Sequence, residues 1–163
     1  MPSLLAVISR KMLPLAGRTA LRAARTTQKS SILSRLASTL AILEQRGGGL
    51  NSGSLAAVTA GQKLGGSIHG FIAGKNVKAV AEQAAKVEGL EKIIMVENEA
   101  YERGLPENYA PLLAENIKKG GYTHVIVGSS AFGKSVLPRV AALLDVQPLT
   151  DVMEIQSEDS KWS

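Results

Sequence analysis

Cysteine is absent from the 163 residues, and with it go disulfides, thiolate metal sites, Cys-ligated iron–sulfur clusters and a cysteine nucleophile. Histidine is almost as scarce. His69 and His124 are the two imidazoles and lie far apart in sequence, which leaves little from which to build a zinc site or a histidine-based acid–base pair. No stretch approaches the ~18 uninterrupted apolar residues that span a bilayer. Acidic residues are missing from the first 40 positions, a gap that decides how the charge must be read.

The formal net charge of +5 is unevenly placed: Arg10, Lys11, Arg18, Arg22, Arg25, Lys29 and Arg35 all precede residue 40. Beyond them, twelve basic residues face all 14 acidic ones, a net of −2, so the body offers no basic surface to nucleic acid. Residues 1–37 are rich in Arg, Ser, Thr, Ala and Leu, the composition of a mitochondrial or plastid transit peptide. Such a segment is expected to form a basic amphipathic helix that import receptors select. Arg35, ahead of Leu36-Ala37-Ser38, places processing near Ser38. The expected organisation is a transit segment over 1–37 and one domain over 38–163, long enough for a single core.

The body alternates short apolar runs with helical periodicity. Thr39-Leu40-Ala41-Ile42-Leu43 reads as a strand stopped by Glu44 and the glycines at 47–49. Asn51 or Ser54 can cap a helix whose face is Ala57, Ala60, Gly61 and Leu64, a small-residue surface suited to close packing. Residues 67–73 give a second strand, and Val77, Val80, Ala81 and Ala84 face a second helix that Gly89 ends. Lys92-Ile93-Ile94-Met95-Val96 is a third strand, whose continuous apolar run predicts burial on both faces. Residues 97–107 read as a surface connection, with Glu97, Glu99 and Glu102 on a solvated face. Asn108 is the expected cap of a helix over 109–119, with Pro111 in its first turn. Val125-Ile126-Val127 is the fourth strand, an amphipathic helix follows, and residues 152–155 form a fifth strand. This order predicts an α/β, Rossmann-like fold with a mostly parallel sheet and right-handed crossovers. Its binding rim lies beyond the strand C-termini, at residues 47–49, 73–74 and 128–133.

The turn after the fourth strand holds the one motif that names a chemistry. Gly128, Gly133, Lys134 and Ser135 fit G-x-x-x-x-G-K-[ST], the phosphate-cradling P-loop, so a nucleotide-binding protein acting through residues 128–135 is the alternative reading. A weaker form of it is a simple anion site of Gly128, Ser129, Ser130, Gly133 and Lys134. Three features oppose the P-loop: it follows the fourth strand, no strand ends in a magnesium-ordering Asp, and Pro138 disfavours helical geometry at Leu137. The spacing of Gly128, Ser130 and Gly133 is one residue too long for a hydrolase nucleophile elbow, and no histidine follows. The favoured reading is a sharp turn that presents Phe132 and Arg139 to a partner, with no catalytic residue and no metal site. Asp151 and Glu154 read as edge-strand polar residues.

Ser130-Ala131-Phe132-Gly133-Lys134, followed by Leu137-Pro138-Arg139-Val140-Ala141-Ala142, closely resembles the alpha subunits of electron transfer flavoproteins. Leu64-Gly65-Gly66, Ala73-Gly74, Tyr122-Thr123-His124 and Pro148-Leu149-Thr150-Asp151-Val152 are similar to that family in the same order. The resemblance covers residue 38 to the C-terminus and implies an electron carrier rather than an enzyme. It implies a mitochondrial matrix heterodimer with a beta subunit that carries AMP. That heterodimer would move electrons on FAD from acyl-CoA and other dehydrogenases of fatty acid and amino acid oxidation to a membrane quinone oxidoreductase. The family's FAD is held mainly by a C-terminal domain that is missing from this sequence, so no FAD contact is expected among these residues. The domain is expected to be a dimerisation scaffold, short of its last strands, with an exposed edge prone to association.

Overall fold

The computed structural model describes the backbone of residues 5–9 and, in full, residues 37–155. A six-stranded sheet has the order β6-β5-β2-β7-β1-β8, with β1 at Leu5–Ser9, β2 at Ser38–Ile42, β5 at Ser67–Gly74, β6 at Lys92–Glu97, β7 at His124–Gly128 and β8 at Leu149–Val152. The four strands β6, β5, β2 and β7 are mutually parallel, in register Ile42↔Phe71, Phe71↔Ile94 and Ile42↔Val127. A two-stranded hairpin, β3 at Gln45–Arg46 and β4 at Gly49–Leu50, sits above the end of β2. The helices are α1 at Ser52–Leu64, α2 at Lys78–Ala84, α3 at Pro106–Gly120 and α4 at Ala131–Leu144. The predicted α/β alternation and parallel core are present.

The period of two along the strands divides the core between the two faces of the sheet. Leu40, Ile42, Val125 and Val127 point to the side covered by α3 and α4, where they meet Leu113, Leu137 and Val140. Ala41, Leu43 and Ile72 point to the other side and meet Val58 of α1 and Val80 of α2. Ile126 packs with Ala57 of α1, and Val152 and Ile155 lie against this pair. Helix α1 starts because the Asn51 side chain accepts the Gly53 N–H at 3.2 Å. The Ser54 hydroxyl, the other candidate cap, instead accepts the Glu44 N–H at 2.8 Å and so ties the helix to the end of β2.

Several expectations are corrected. Strand β6 is an edge strand and not buried on both faces: it pairs with β5 alone, and Met95 is 43% exposed. Helix α3 begins three residues early, on Leu105 with Pro106 as a first-turn residue, so Pro111 lies inside it. Asn108 does not cap it; its amide donates to the Ala100 carbonyl at 2.9 Å. Helix α2 stops at Ala84, well before Gly89. Helix α4 runs unbroken through Pro138. The last strand is Leu149–Val152 rather than 152–155. Within the segment expected to be a transit helix, Leu5–Ser9 is a strand, antiparallel to both β7 and β8. The rest of that segment up to residue 36 lies outside the described residues, and Ser38, where processing is expected, is the first residue of β2.

Candidate functional site

The turn from β7 into α4 is built by close backbone approach. A Cβ on Gly128 would lie 2.7 Å from the carbonyl oxygen of Gly53 at the start of α1. A Cβ on Gly133 would lie 2.3 Å from the carbonyl oxygen of Gly128 itself. Neither neighbour is a movable side chain, so both positions demand glycine on packing grounds alone. The end of β7 is wedged between the first turns of two helices, and these glycines let them meet.

The polar groups of the same turn serve its own geometry. Ser130 is the N-cap of α4: its hydroxyl accepts the Gly133 N–H at 3.0 Å and its carbonyl accepts the Lys134 N–H at 2.9 Å. The Ser130 N–H donates to the Gly128 carbonyl at 2.8 Å. The Ser135 hydroxyl turns back to the Ala131 carbonyl within the helix. Lys134 is exposed, and its ammonium stands 4.0 Å from the carboxylate of Asp151, an exposed pair of small energetic weight. Ser129 is half-buried on the wall of a cleft of about 250 Å³, together with Gly128, Gly133, Lys134, Leu137, Pro138, Thr150 and Asp151. The sequence motif gave no sign that Asp151, inside strand β8, would face Lys134.

Phe132 is not presented to a partner as expected. Its ring sits half-buried, edge-on to Tyr109 at 4.9 Å between centroids and under Gly104, and Tyr109 meets Tyr101 the same way at 5.4 Å. This aromatic cluster seals the top of the core between α3 and α4. The Tyr109 hydroxyl donates to the Ala73 carbonyl at the end of β5, and burial pushes its pKa up to about 12. Arg139 is exposed and pairs with Glu107 of α3. A backbone hydrogen bond, with help from Arg139, holds the Glu107 carboxyl below its usual range.

At the opposite end of the sheet, a second cleft of about 160 Å³ lies between Ile117, Tyr122, Val125, Leu144 and Val146. His69 Nδ1 is 2.7 Å from the Tyr122 hydroxyl, and His124 Nδ1 is 2.9 Å from the Thr123 hydroxyl. Burial lowers the His124 pKa and raises that of Tyr122. Neither cleft has room for a dinucleotide, since sites for much smaller ligands run from about 300 to 1,000 Å³. No cluster of three or more potential metal ligands occurs among the described residues, and no described helix is long and apolar enough to cross a membrane.

Comparison with known proteins adds lineage to this geometry. Residues 39–163 match the family model described as the electron transfer flavoprotein domain. The electron transfer flavoprotein subunit alpha of Pseudomonas aeruginosa is 47% identical over 121 residues, 74% of this chain and 38% of that protein. The probable mitochondrial subunit alpha of Schizosaccharomyces pombe is 41% identical over 124 residues, 76% of this chain and 36% of the relative. Its Caenorhabditis elegans counterpart is 42% identical over 127 residues, 78% and 38%. The chain spans well under half the length of each of these relatives.

Proposed function

The chain belongs to the electron transfer flavoprotein family, as an alpha-subunit N-terminal domain, and from that premise we propose that it is the scaffold on which the subunit pairs with a beta subunit. The complete heterodimer would be an electron carrier, not an enzyme with a substrate pocket of its own. It would take electrons from acyl-CoA and related dehydrogenases and deliver them to a membrane quinone oxidoreductase. FAD would supply the redox chemistry, bound outside these residues, with AMP on the beta subunit. The names of the eukaryotic relatives support a mitochondrial location, and the basic, acid-free N-terminal segment supports import to the matrix.

The observation that carries the scaffold reading is the way the rim is spent. In a sheet of this type ligands collect beyond the strand C-termini. Here that position holds two glycine-mediated backbone contacts, a self-capped helix start and an aromatic cluster, beside a cleft of about 250 Å³. We read the turn at 128–135 as a packing turn on these grounds. Co-expression with a beta subunit tests the assignment. The chain, or the same chain extended by an alpha-type C-terminal domain, is expected to co-purify with it, and the extended pair to carry flavin absorbance. Failure of both to form a complex overturns the scaffold assignment. Calorimetric titration with ATP and magnesium tests the turn; a dissociation constant below about 1 mM, or roughly −4 kcal/mol, would restore the nucleotide reading.

A further inference from the structure

The polarity of the last strands gives β7 an edge with two candidate occupants. Strand β1 is antiparallel to β7, and β8 is antiparallel to β1, so β8 is already parallel to β7. Helix α4 joins β7 to β8. The unit β7-α4-β8 is thus a parallel crossover with a foreign strand slipped into its middle. Parallel strands joined by a helix ordinarily meet directly or across strands of the same direction. One strand spacing, about 4.8 Å, separates β8 from the place beside β7.

The registers agree with an exchange. Gly128, Leu5 and Val152 share one row across the three strands, and Ile126, Val7 and Leu149 share another. Removal of β1 would bring Val152 opposite Gly128 and Leu149 opposite Ile126, with one extra β8 residue absorbed at the irregularity already present between the rows. Val152 and Ile155 already lie against the Ile126–Ala57 pair that faces this part of the sheet. Asp151, inside β8, holds φ at 60°, a left-handed conformation unfavourable for a residue with a side chain and not required by a regular strand. The outer position fits β8 poorly.

We propose that the edge of β7 is a strand-accepting slot with two alternative occupants from this chain, β1 in the intact chain and β8 once β1 is withdrawn. The first occupant lies within residues 1–37, so its withdrawal would accompany processing near Ser38. That trigger rests on the import reading, but the exchange itself does not.

Hydrogen exchange on the full chain tests it, with four variants forming a cycle: wild type, Val7→Pro, Thr150→Pro and the double variant. In the wild type, amides of residues 5–9 and the β7 amides turned away from β2 are protected. Val7→Pro should deprotect residues 5–9 while β7 and β8 stay within about threefold of wild type. Thr150→Pro alone should leave β7 protected by β1. The double variant should speed β7 exchange at least tenfold. Three results overturn the proposal: unprotected residues 5–9 in the wild type, β7 exposed by Val7→Pro alone, or loss of protection throughout β2 and β5 in that variant. N-terminal sequencing of the native protein reads processing separately, so failure of the import reading is distinguishable from failure of the slot.

Discussion

A methyl group at Gly128 would press against the carbonyl of Gly53, contributed by a helix from which two other strands, β5 and β6, separate it in the chain. Gly128→Ala is therefore expected to lower stability by about 1–3 kcal/mol, the usual cost of overpacking where backbone must move. Gly49→Ala, whose new Cβ would be 3.9 Å from the nearest carbonyl, should change it by less than about 0.5 kcal/mol. Urea midpoints of the two variants check the contrast; equal midpoints would remove the packing explanation of the motif. Tyr109→Phe deletes the hydroxyl that satisfies the buried Ala73 carbonyl and should cost about 1–3 kcal/mol by the same measurement. The glycines of the phosphate-like motif were legible in the sequence, but their purpose was not. Close approach of backbone and cradling of an anion ask for the same residue, and only the position of Gly53 separates them. Phe132 shows the same limit: an aromatic at a helix start reads as exposed until Tyr109 and Tyr101 are brought against it.

Among the elements, α4 shows how packing outweighs local propensity. Pro138 lacks the N–H that would bond four residues back, and the sequence alone argues for a break there. The helix continues because Val136, Leu137, Val140 and Ala141 are all buried against the sheet, while Pro138 itself is exposed. Pro138→Ala restores a backbone donor and removes no core contact, so it is expected to raise stability by about 1–3 kcal/mol. A midpoint unchanged or lowered would mean that the ring is needed on the wall of the adjacent cleft. Strand β6 errs in the opposite sense. Its run Ile93-Ile94-Met95-Val96 has the composition of a central strand, yet composition cannot tell a strand with two neighbours from one with a single neighbour. The parallel order and the faces of β2, β5 and β7 were readable from their alternation with helices. The ends of α2, α3 and β8 were not: Leu105 opens α3 with no side-chain cap and leaves Pro106, a first-position proline, as the start signal, and Ala85 closes α2.

For the whole molecule, the basic residues that precede position 40 lie outside the described residues, so the pH dependence of stability is argued from the titrating groups of the body. Two desolvated ones, half-buried His124 and buried Tyr109, bound the pH range from opposite sides. Burial lowers the His124 pKa, so the unfolded chain binds a proton more readily than the folded one. Its contribution is intact above the unfolded value of about 6.5 and is lost as pH falls through the folded value. Tyr109 works in the other direction: its pKa is raised to about 12 in the folded state, so its contribution is intact below about 10 and is lost as pH rises towards 12. Folding free energy should therefore pass through a plateau between roughly pH 7 and 10. His124→Asn should remove the acid-side loss relative to wild type, and Tyr109→Phe should reduce the alkaline-side loss, the remainder coming from Tyr122, whose pKa burial also raises, each at the cost of a lower plateau. Urea midpoints at pH 5, 7.5 and 11 read both arms at once. Parallel curves for wild type and His124→Asn would show that the imidazole is not desolvated, and with it that β1, β2 and β7 do not close over the lower end of the sheet.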